Sequence, residues 1–152
     1  LGPAGSGKST LVNMLPRFYD VTGGAITIDG QDIRGVTVES LRRNIGIVQQ
    51  DVFLFIGTIR DNIAYGRPDA TQAEIERAAQ AARIHDFIMS LPGGYDEWVG
   101  ERGVTLSGGQ KRKLSVGIAL IGDSKLIMLD EPTSGMDTTT RRRFWEMLKL
   151  YK

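Results

Sequence analysis

The 152-residue chain contains no cysteine, so neither disulfides nor cysteine-bound zinc can stabilise it, and a reducing compartment suits it. No apolar run approaches the ~20 residues needed to cross a bilayer, and no signal peptide is visible. Aromatic residues make up only 7% of the chain, but apolar residues as a whole reach 41%, which is typical of a globular domain. The net charge of +1 gives no general argument for nucleic-acid binding.

Lysine is almost absent from the first 110 residues, where Lys8 is its only instance. Residues 1–110 carry ten basic and thirteen acidic side chains, whereas residues 111–152 carry nine basic and five acidic ones. The charge balance therefore changes sign near residue 110. We expect the two stretches to differ in origin or in role.

The single early lysine lies in a glycine-rich stretch with the pattern G-x-x-x-x-G-K-S. Glycines let backbone N–H groups converge on one concavity, and the following helix N-terminus adds a partial positive charge. Lys8 supplies charge for the β- and γ-phosphates, and the Ser9 hydroxyl is a ligand for Mg²⁺. The alternative, a glycine turn before a surface lysine, is disfavoured because the full pattern opens an apolar helix. The pattern predicts that a nucleoside triphosphate is bound by Gly2, Pro3, Ala4, Gly5, Ser6, Gly7, Lys8, Ser9 and Thr10.

A continuous apolar run, Leu126–Leu129, ends in Asp130 and Glu131. Such a run predicts a strand that is buried on both faces. Asp130 at its carboxyl end can hold Mg²⁺ opposite Ser9, and Glu131 can act as the general base that polarises the attacking water. The alternative is a polar turn after a strand. The phosphate loop in the same chain favours the catalytic interpretation.

Residues Ser107–Gln110 read Ser-Gly-Gly-Gln and begin a helix with an apolar stripe at Leu114, Ile118 and Ile121. The N–H groups and the dipole of this helix start can face an anion, although an ordinary helix capped by Ser107 is the alternative. The first loop already holds the phosphates of one nucleotide. A second anion cradle is therefore best explained by a nucleotide that another copy holds.

Hydrophobic periodicity and end signals predict strands that alternate with helices, which indicates an α/β fold around a largely parallel sheet. We expect strands at residues 24–30, which close on an Asp-Gly turn, and at residues 45–49. The expected helices run from the phosphate loop to about Leu15, at 38–43, from a Thr71/Glu74 capping box to about Arg83, at 86–90, after Ser107, and after Asp137.

Taken in order, the motifs at Gly2–Thr10, Gln50, Leu106–Gln110, Leu126–Glu131 and Ser134–Asp137 resemble the nucleotide-binding domain of ATP-binding-cassette (ABC) transporters. The resemblance covers essentially the whole chain. It implies a P-loop NTPase that binds ATP and Mg²⁺ and hydrolyses ATP to drive transport across a membrane.

The resemblance also implies a domain organisation and partners. The ATPase core would occupy about 1–50 and 122–152, with a helical and signature subdomain at about 51–121. Two such domains would form a head-to-tail dimer, in which Ser107, Gly108, Gly109 and Gln110 face the nucleotide of the other copy. Asp137 would match the loop aspartate that acts across the dimer and belongs to the nucleotide-binding residues. Gln50 would reach Mg²⁺ and the attacking water. The transmembrane domain would be contacted near Gln50 and Glu101, at the cytoplasmic face of the membrane, and no nucleic acid is expected as a partner.

Family members also carry features for which this sequence has no counterpart. These are an aromatic residue that stacks on adenine, a late histidine that contacts the γ-phosphate, and a strand that feeds the phosphate loop. We therefore expect a chain truncated at both ends and marginally stable alone. The only histidine, His85, is expected to be structural or exposed.

Three alternatives to a transporter ATPase follow from the sequence. One is a truncated remnant that binds ATP without hydrolysing it. Another is a soluble ABC protein that acts on nucleic acid, which would need a basic surface or long inserted arms. A GTPase is disfavoured because no Asn-Lys-x-Asp motif occurs.

Residues 21–110 look like bacterial-type exporters, as in Gly57–Ile63 and Val99–Gly103, whereas Lys111–Ala119 and Ser134–Asp137 look like the A-type lipid-transporter subfamily. We expect a chain recombined near the shared signature stretch. Codon usage in the encoding DNA should then change near codon 110. Uniform usage across that point would contradict this origin.

Overall fold

The chain, seen in a computed structural model that describes residues 7–49, 51–100, 105–130 and 138–149, alternates short strands with helices, as expected from the sequence. The helices are α1 (Lys8–Met14), α2 (Val38–Arg43), α3 (Ile59–Ala64), α4 (Gln72–Ala81), α5 (His85–Met89), α6 (Gly108–Ile121) and α7 (Thr138–Lys149). The strands are β1 (Thr27–Ile28), β2 (Gln31–Asp32), β3 (Ile45–Val48), β4 (Gly57–Thr58), β5 (Trp98–Val99) and β6 (Leu126–Leu129). Two 3₁₀ turns occupy Ile33–Gly35 and Gly94–Asp96.

Strands β3 and β6 form a parallel pair, the arrangement that the sequence predicts for the core. Side chains of this pair contribute to two apolar clusters. Val48 belongs to a large cluster built mainly by α3, α4, α5 and α6. Met128 belongs to a smaller cluster, against which Val12 of α1 and the following Leu15 pack. The pair therefore lies between helices α3 to α6, which connect its two strands in the chain, and helix α1.

Burial along β6 is graded. Met128 is buried, Ile127 and Leu129 are half-buried, and Leu126 is 39% exposed. The prediction that this run is buried on both faces is therefore wrong for Leu126. Leu126 is the first residue of β6 and follows the exposed Lys125, so it lies at the end of the strand pair rather than in its middle.

Residues 24–30 contain a shorter strand than expected. Strand β1 covers Thr27–Ile28 only and pairs with β2 in an antiparallel hairpin. The expected turn is present, because Asp29 and Gly30 have φ values of 51° and 78°, as a two-residue type I′ turn requires. The glycines at 23 and 24 offer no side chains to pack on a sheet, which explains why the strand does not begin there.

Helices α3 to α6 pack together, and three of their starts carry side-chain caps. The predicted capping box is present, since Glu74 Oε2 accepts from the Thr71 amide at 2.8 Å and from its hydroxyl at 2.7 Å. The Thr71 hydroxyl and amide, with Arg67, hold the pKa of Glu74 down at about 2. Helix α4 ends at Ala81, before the predicted Arg83, because Arg83 adopts a left-handed φ of 54°.

The packing of α6 against β3 is close. A Cβ at Gly46 would lie 3.2 Å from both the Cβ and the carbonyl oxygen of Ala119, so glycine permits the approach. The large cluster also includes Val48 and, from α7, Phe144, which lie outside the predicted subdomain at 51–121. The division into core and helical subdomain stays a prediction.

His85 begins α5 and is half-buried. Its Nδ1 lies 2.8 Å from the Tyr95 hydroxyl, within hydrogen-bond distance. Burial raises the pKa of Tyr95 to about 12, which keeps that phenol neutral. The contact supports the expectation that this histidine is structural.

Asn62 is fully buried and connects α3 to the segment that precedes β4. Its Oδ1 accepts from the Phe55 amide at 2.8 Å. Its Nδ2 donates to the carbonyls of Phe55 and Thr58, each at 2.9 Å. One side chain therefore satisfies three main-chain groups and fixes the backbone around Phe55.

Replacing Asn62 with alanine should lower the free energy of unfolding by about 2–4 kcal/mol, because three main-chain groups lose their partner in a buried setting. Denaturant unfolding would measure the loss. Gln80→Ala is the control, since Gln80 is an exposed helical residue and its replacement should change stability by less than about 0.5 kcal/mol. Equal midpoints for the two variants would contradict the role of Asn62.

Candidate functional site

The described part of the glycine-rich loop begins at Gly7, which has a left-handed φ of 81° and precedes α1 directly. Its carbonyl accepts from the Leu11 amide at 3.0 Å and so makes the first hydrogen bond of the helix. Lys8, Ser9 and Thr10 therefore form the first helical turn, where N–H groups have no partner within the helix. That turn contains no acidic residue. The helix start is thus suited to an anion.

The remaining loop residues, Gly2, Pro3, Ala4, Gly5 and Ser6, lie outside the described residues, as do the side chains of Lys8 and Ser9. The helix that the sequence predicts after the loop is present, and its last hydrogen bond joins the Leu15 amide to the Leu11 carbonyl at 3.3 Å.

Asp130 follows β6 and is half-buried. Its amide donates to the Val48 carbonyl at 2.9 Å, which continues the parallel ladder one step past the strand. Asp130 therefore lies at the carboxyl edge of the β3–β6 pair, the edge at which parallel α/β sheets bind ligands. Gln50 and Glu131, which follow the two strands, lie outside the described residues.

Within the described ranges no three His, Asp or Glu side chains come together as a metal site. Asp130 offers one carboxylate at this edge. That donor fits Mg²⁺, which binds proteins through one or two carboxylates and completes its shell with hydroxyl, phosphate and water oxygens. The donors that the sequence proposes, Ser9, Gln50 and Asp130, are all hard oxygen ligands.

The second glycine-rich start is resolved in full. Ser107 is the N-cap of α6, and its hydroxyl accepts from the Gln110 amide at 3.3 Å. The Gln110 side chain accepts from the Ser107 amide at 2.7 Å, which completes a capping box. The sequence predicts Ser107 as a cap, but it did not predict the hydrogen bond in which the Gln110 side chain accepts from the Ser107 amide. Ser107 and Gly108 are exposed, and space beside Gly108 and Gly109 is open.

The two glycine-rich starts are not joined to each other within the described ranges. The described chain has no hydrogen bond that joins Ser107–Gln110 to the first turn of α1 or to Asp130. Along α6, Gly108 lies roughly 16 Å from Ala119, the residue that meets β3. The turn at Ser107–Gln110, which we call the signature turn, instead adjoins a cavity lined by Val52, Val99 and Leu106. Asp137, the other residue expected to face a partner, lies outside the described residues.

Sequence reasoning did not identify one exposed feature. It is a set of large exposed apolar side chains, which we call the aromatic surface: Phe53, Phe55, Ile56, Tyr65 and Trp98. Phe53 is 78% exposed and Ile56 is 73% exposed. The rings of Phe55 and Tyr65 stack with centroids 4.1 Å apart. The signal was the unbroken apolar run at residues 52–56, which continues where solvent-facing polar residues would be expected.

Along the sequence, the aromatic surface adjoins both positions at which a membrane partner is expected. Its first residues follow Gln50, and Trp98 belongs to β5, which leads towards Glu101. Strands β4 and β5 pair with each other, so the segment that follows Gln50 and the segment that contains Trp98 are held together. Glu101 itself lies outside the described residues. None of the helices in the described ranges combines the length and the apolar character of a membrane span.

Ser107→Ala should lower the free energy of unfolding by about 1 kcal/mol, because the N-cap of α6 loses its side-chain acceptor. Ser40→Ala is the control, since Ser40 is an exposed residue within α2 rather than a cap. Urea unfolding of both variants measures the difference. Identical midpoints would show that the capping box does not stabilise the helix start.

Residues 1–134 match the family described as ABC transporter. The chain is 53% identical over 148 residues to YgaD of Bacillus subtilis (strain 168), an ATP-binding/permease protein named for multidrug export. It is 51% identical over 149 residues to the ATP-dependent lipid A-core flippase of Syntrophus aciditrophicus (strain SB). These matches cover 97% and 98% of the chain, and therefore both sides of residue 110.

Among solved structures, a bacterial Atm1-family ABC exporter with ATP bound superimposes with a TM-score of 0.91 at 48% identity and covers 99% of the chain. The chain spans about a quarter of the length of these proteins: 26% of YgaD, 25% of the flippase and 26% of the exporter. The expected ABC-type P-loop NTPase fold is thereby confirmed, whereas the recombinant origin stays a prediction. This chain belongs to the ABC transporter family.

Proposed function

We propose that this chain binds ATP with Mg²⁺ and hydrolyses ATP as the nucleotide-binding domain of an exporter-type ABC transporter. The observation that carries the proposal is the start of α1, where the left-handed Gly7 leads directly into Lys8 and Ser9 without an acidic residue in the first turn. Unpaired N–H groups and the helix dipole at such a start both favour a phosphate.

Each proposed site residue has a chemical role. Gly2–Thr10 bind the phosphates, and Lys8 places its charge at the β- and γ-phosphates. Ser9, Gln50 and Asp130 would hold Mg²⁺, which supplies neutralising charge to the phosphate oxygens when bound. Glu131 accepts the proton of the attacking water. These residues supply the positioning and charge stabilisation that phosphoryl transfer requires.

A head-to-tail dimer explains the second glycine-rich start. The open turn at Ser107–Gln110 presents the N–H groups of Gly108 and Gly109, and the side-chain caps leave these two groups without a partner inside the helix. Among the described residues, this turn makes no hydrogen bond to the start of α1. A nucleotide held by a second copy would fit there, with Asp137 on the same side of the interface.

A transmembrane domain is the partner that best fits the aromatic surface. Large apolar side chains as exposed as Phe53 and Ile56 mark a contact surface when they cluster. Relatives of this chain carry an ATP-binding part and a permease part in one name, which supports a membrane partner at the positions around Gln50 and Glu101. The chain would then lie at the cytoplasmic face of a membrane and drive outward transport.

The first test is thermal unfolding of the purified protein with and without Mg·ATP. A ligand present at one hundred times its Kd adds about 2.7 kcal/mol to a folded protein that binds it. We expect Mg·ATP to raise the unfolding midpoint and Lys8→Ala to abolish that rise. Hydrolysis is then followed as phosphate release, which Glu131→Gln should reduce by about a hundredfold or more, since a general base contributes 10²–10⁴-fold.

Lys125→Ala is the matched control for Lys8→Ala. Lys125 is an exposed lysine outside the glycine-rich loop, so its replacement should leave the nucleotide-dependent rise unchanged. A cooperative transition that Mg·ATP does not shift would overturn the proposal. A shift that survives Lys8→Ala would place the nucleotide elsewhere.

A further inference from the structure

The carboxyl end of α1 is closed by a Schellman motif. Arg17 adopts a left-handed φ of 54°, its amide donates to Met14 O at 3.0 Å, and the Phe18 amide donates to Asn13 O at 3.1 Å. This pattern satisfies two of the carbonyls that a helix end leaves without partners. The carbonyls of Pro16 and Arg17, at and just past the helix end, take donors from elsewhere in the chain.

Arg42, on α2, supplies those partners. Its Nε donates to Pro16 O at 2.9 Å, and its Nη2 donates to Arg17 O at 3.0 Å. The same guanidinium lies over the Phe18 ring, with Cζ 4.8 Å from the centroid. A cation at a helix carboxyl end also interacts favourably with the helix dipole. Arg42 is therefore a cap for α1 from a distant helix.

The connection is reciprocal. Arg17 Nη1 donates to the carbonyls of Ile33 and Val36, at 3.2 and 3.4 Å, in the segment that leads to α2. Its Nε donates to Asp20 Oδ1 at 2.9 Å, which orients the guanidinium. Each arginine thus binds the main chain of the segment that carries the other. Beneath them, Leu15 packs against the small apolar cluster that contains Leu41.

Helix α2 leads into β3 through Asn44 alone. Strand β3 is the neighbour of β6, and the Asp130 amide bonds to the β3 carbonyl of Val48. The arginine contacts therefore join the helix that follows the phosphate loop to the strand pair that ends at Asp130. The phosphate-loop helix and Asp130 are the two halves of the proposed nucleotide site. Only α2 and β3 lie between them along this series of contacts.

We propose that Arg42 is a positioning residue for ATP hydrolysis: it holds α1 by its carboxyl end and so sets the tilt of the phosphate-loop helix relative to the β3–β6 edge. The proposal rests on the proposed ATPase function. Nucleotide binding depends on the loop and the first turn of α1. Hydrolysis depends in addition on how that turn faces Asp130. Loss of Arg42 should therefore affect hydrolysis more than binding, because small misplacements in a site cost up to about 10²-fold in rate.

The test compares wild type with Arg42→Ala and Arg42→Lys. Three quantities are measured well below the unfolding midpoint: the Kd for ATP with EDTA present, kcat for phosphate release, and the unfolding midpoint itself. For Arg42→Ala we expect kcat to fall about tenfold or more while Kd changes less than about threefold. Arg42→Lys should recover most of the midpoint but not kcat, because lysine keeps the charge and loses the planar two-point geometry.

Arg43→Ala is the matched control. Arg43 is the next residue of α2, its side chain is 75% exposed, and it pairs with Glu39 on the same helix. All three quantities should stay at their wild-type values in this variant. A general effect of removing a positive charge from α2 would appear here as well.

Several outcomes overturn the proposal. If kcat of Arg42→Ala equals that of wild type, or if kcat and Kd change by the same factor, Arg42 does not position the site. If Arg42→Lys restores kcat together with the midpoint, the residue acts through stability alone. A wild-type protein that neither binds nor hydrolyses ATP overturns the proposed function and this inference together, whereas an active wild type separates the two.

Discussion

The parallel pairing of β3 with β6 is the contact on which the rest of the structure depends. The side chains of this pair belong to two apolar clusters, and each cluster holds a different part of the candidate site. Val12 of α1 packs against the small cluster. The large cluster contains side chains of α3 to α6, and α6 begins at the signature turn. Because the two strands run in the same direction, their carboxyl ends share one edge, and Asp130 lies there through its bond to Val48. Loss of this pairing would separate the phosphate-loop helix from the proposed metal ligand.

Local chemistry made much of the architecture predictable. Capping boxes, an Asp-Gly turn and left-handed glycines act within three or four residues, so the sequence states them directly. The box at Thr71 and Glu74 and the turn at Asp29 and Gly30 occur where the sequence predicts them. The glycine-rich loop was predictable for the same reason, since each of its roles belongs to a residue at a defined spacing.

What the sequence could not predict depends on contacts between distant residues. Exposure of Leu126 depends on which elements cover the faces of β6, and an apolar run in the sequence carries no such information. The bonds from Arg42 reach residues 16 and 17, and nothing in a window around α2 distinguishes Arg42 from Arg43. The aromatic surface was missed because an apolar run normally predicts burial. Its exposure becomes visible only when the neighbouring elements are in place.

The capping box at Ser107 has a consequence for how the signature turn would meet a ligand. A hydroxyl has one proton to donate, and here its oxygen already accepts from the Gln110 amide. That bond polarises the O–H group, and hydrogen bonds in series strengthen one another. The cap that stabilises α6 therefore also makes Ser107 a better donor towards anything in front of the helix. At this position the same bond contributes to the folding of the chain and to the affinity of its open face for negative charge.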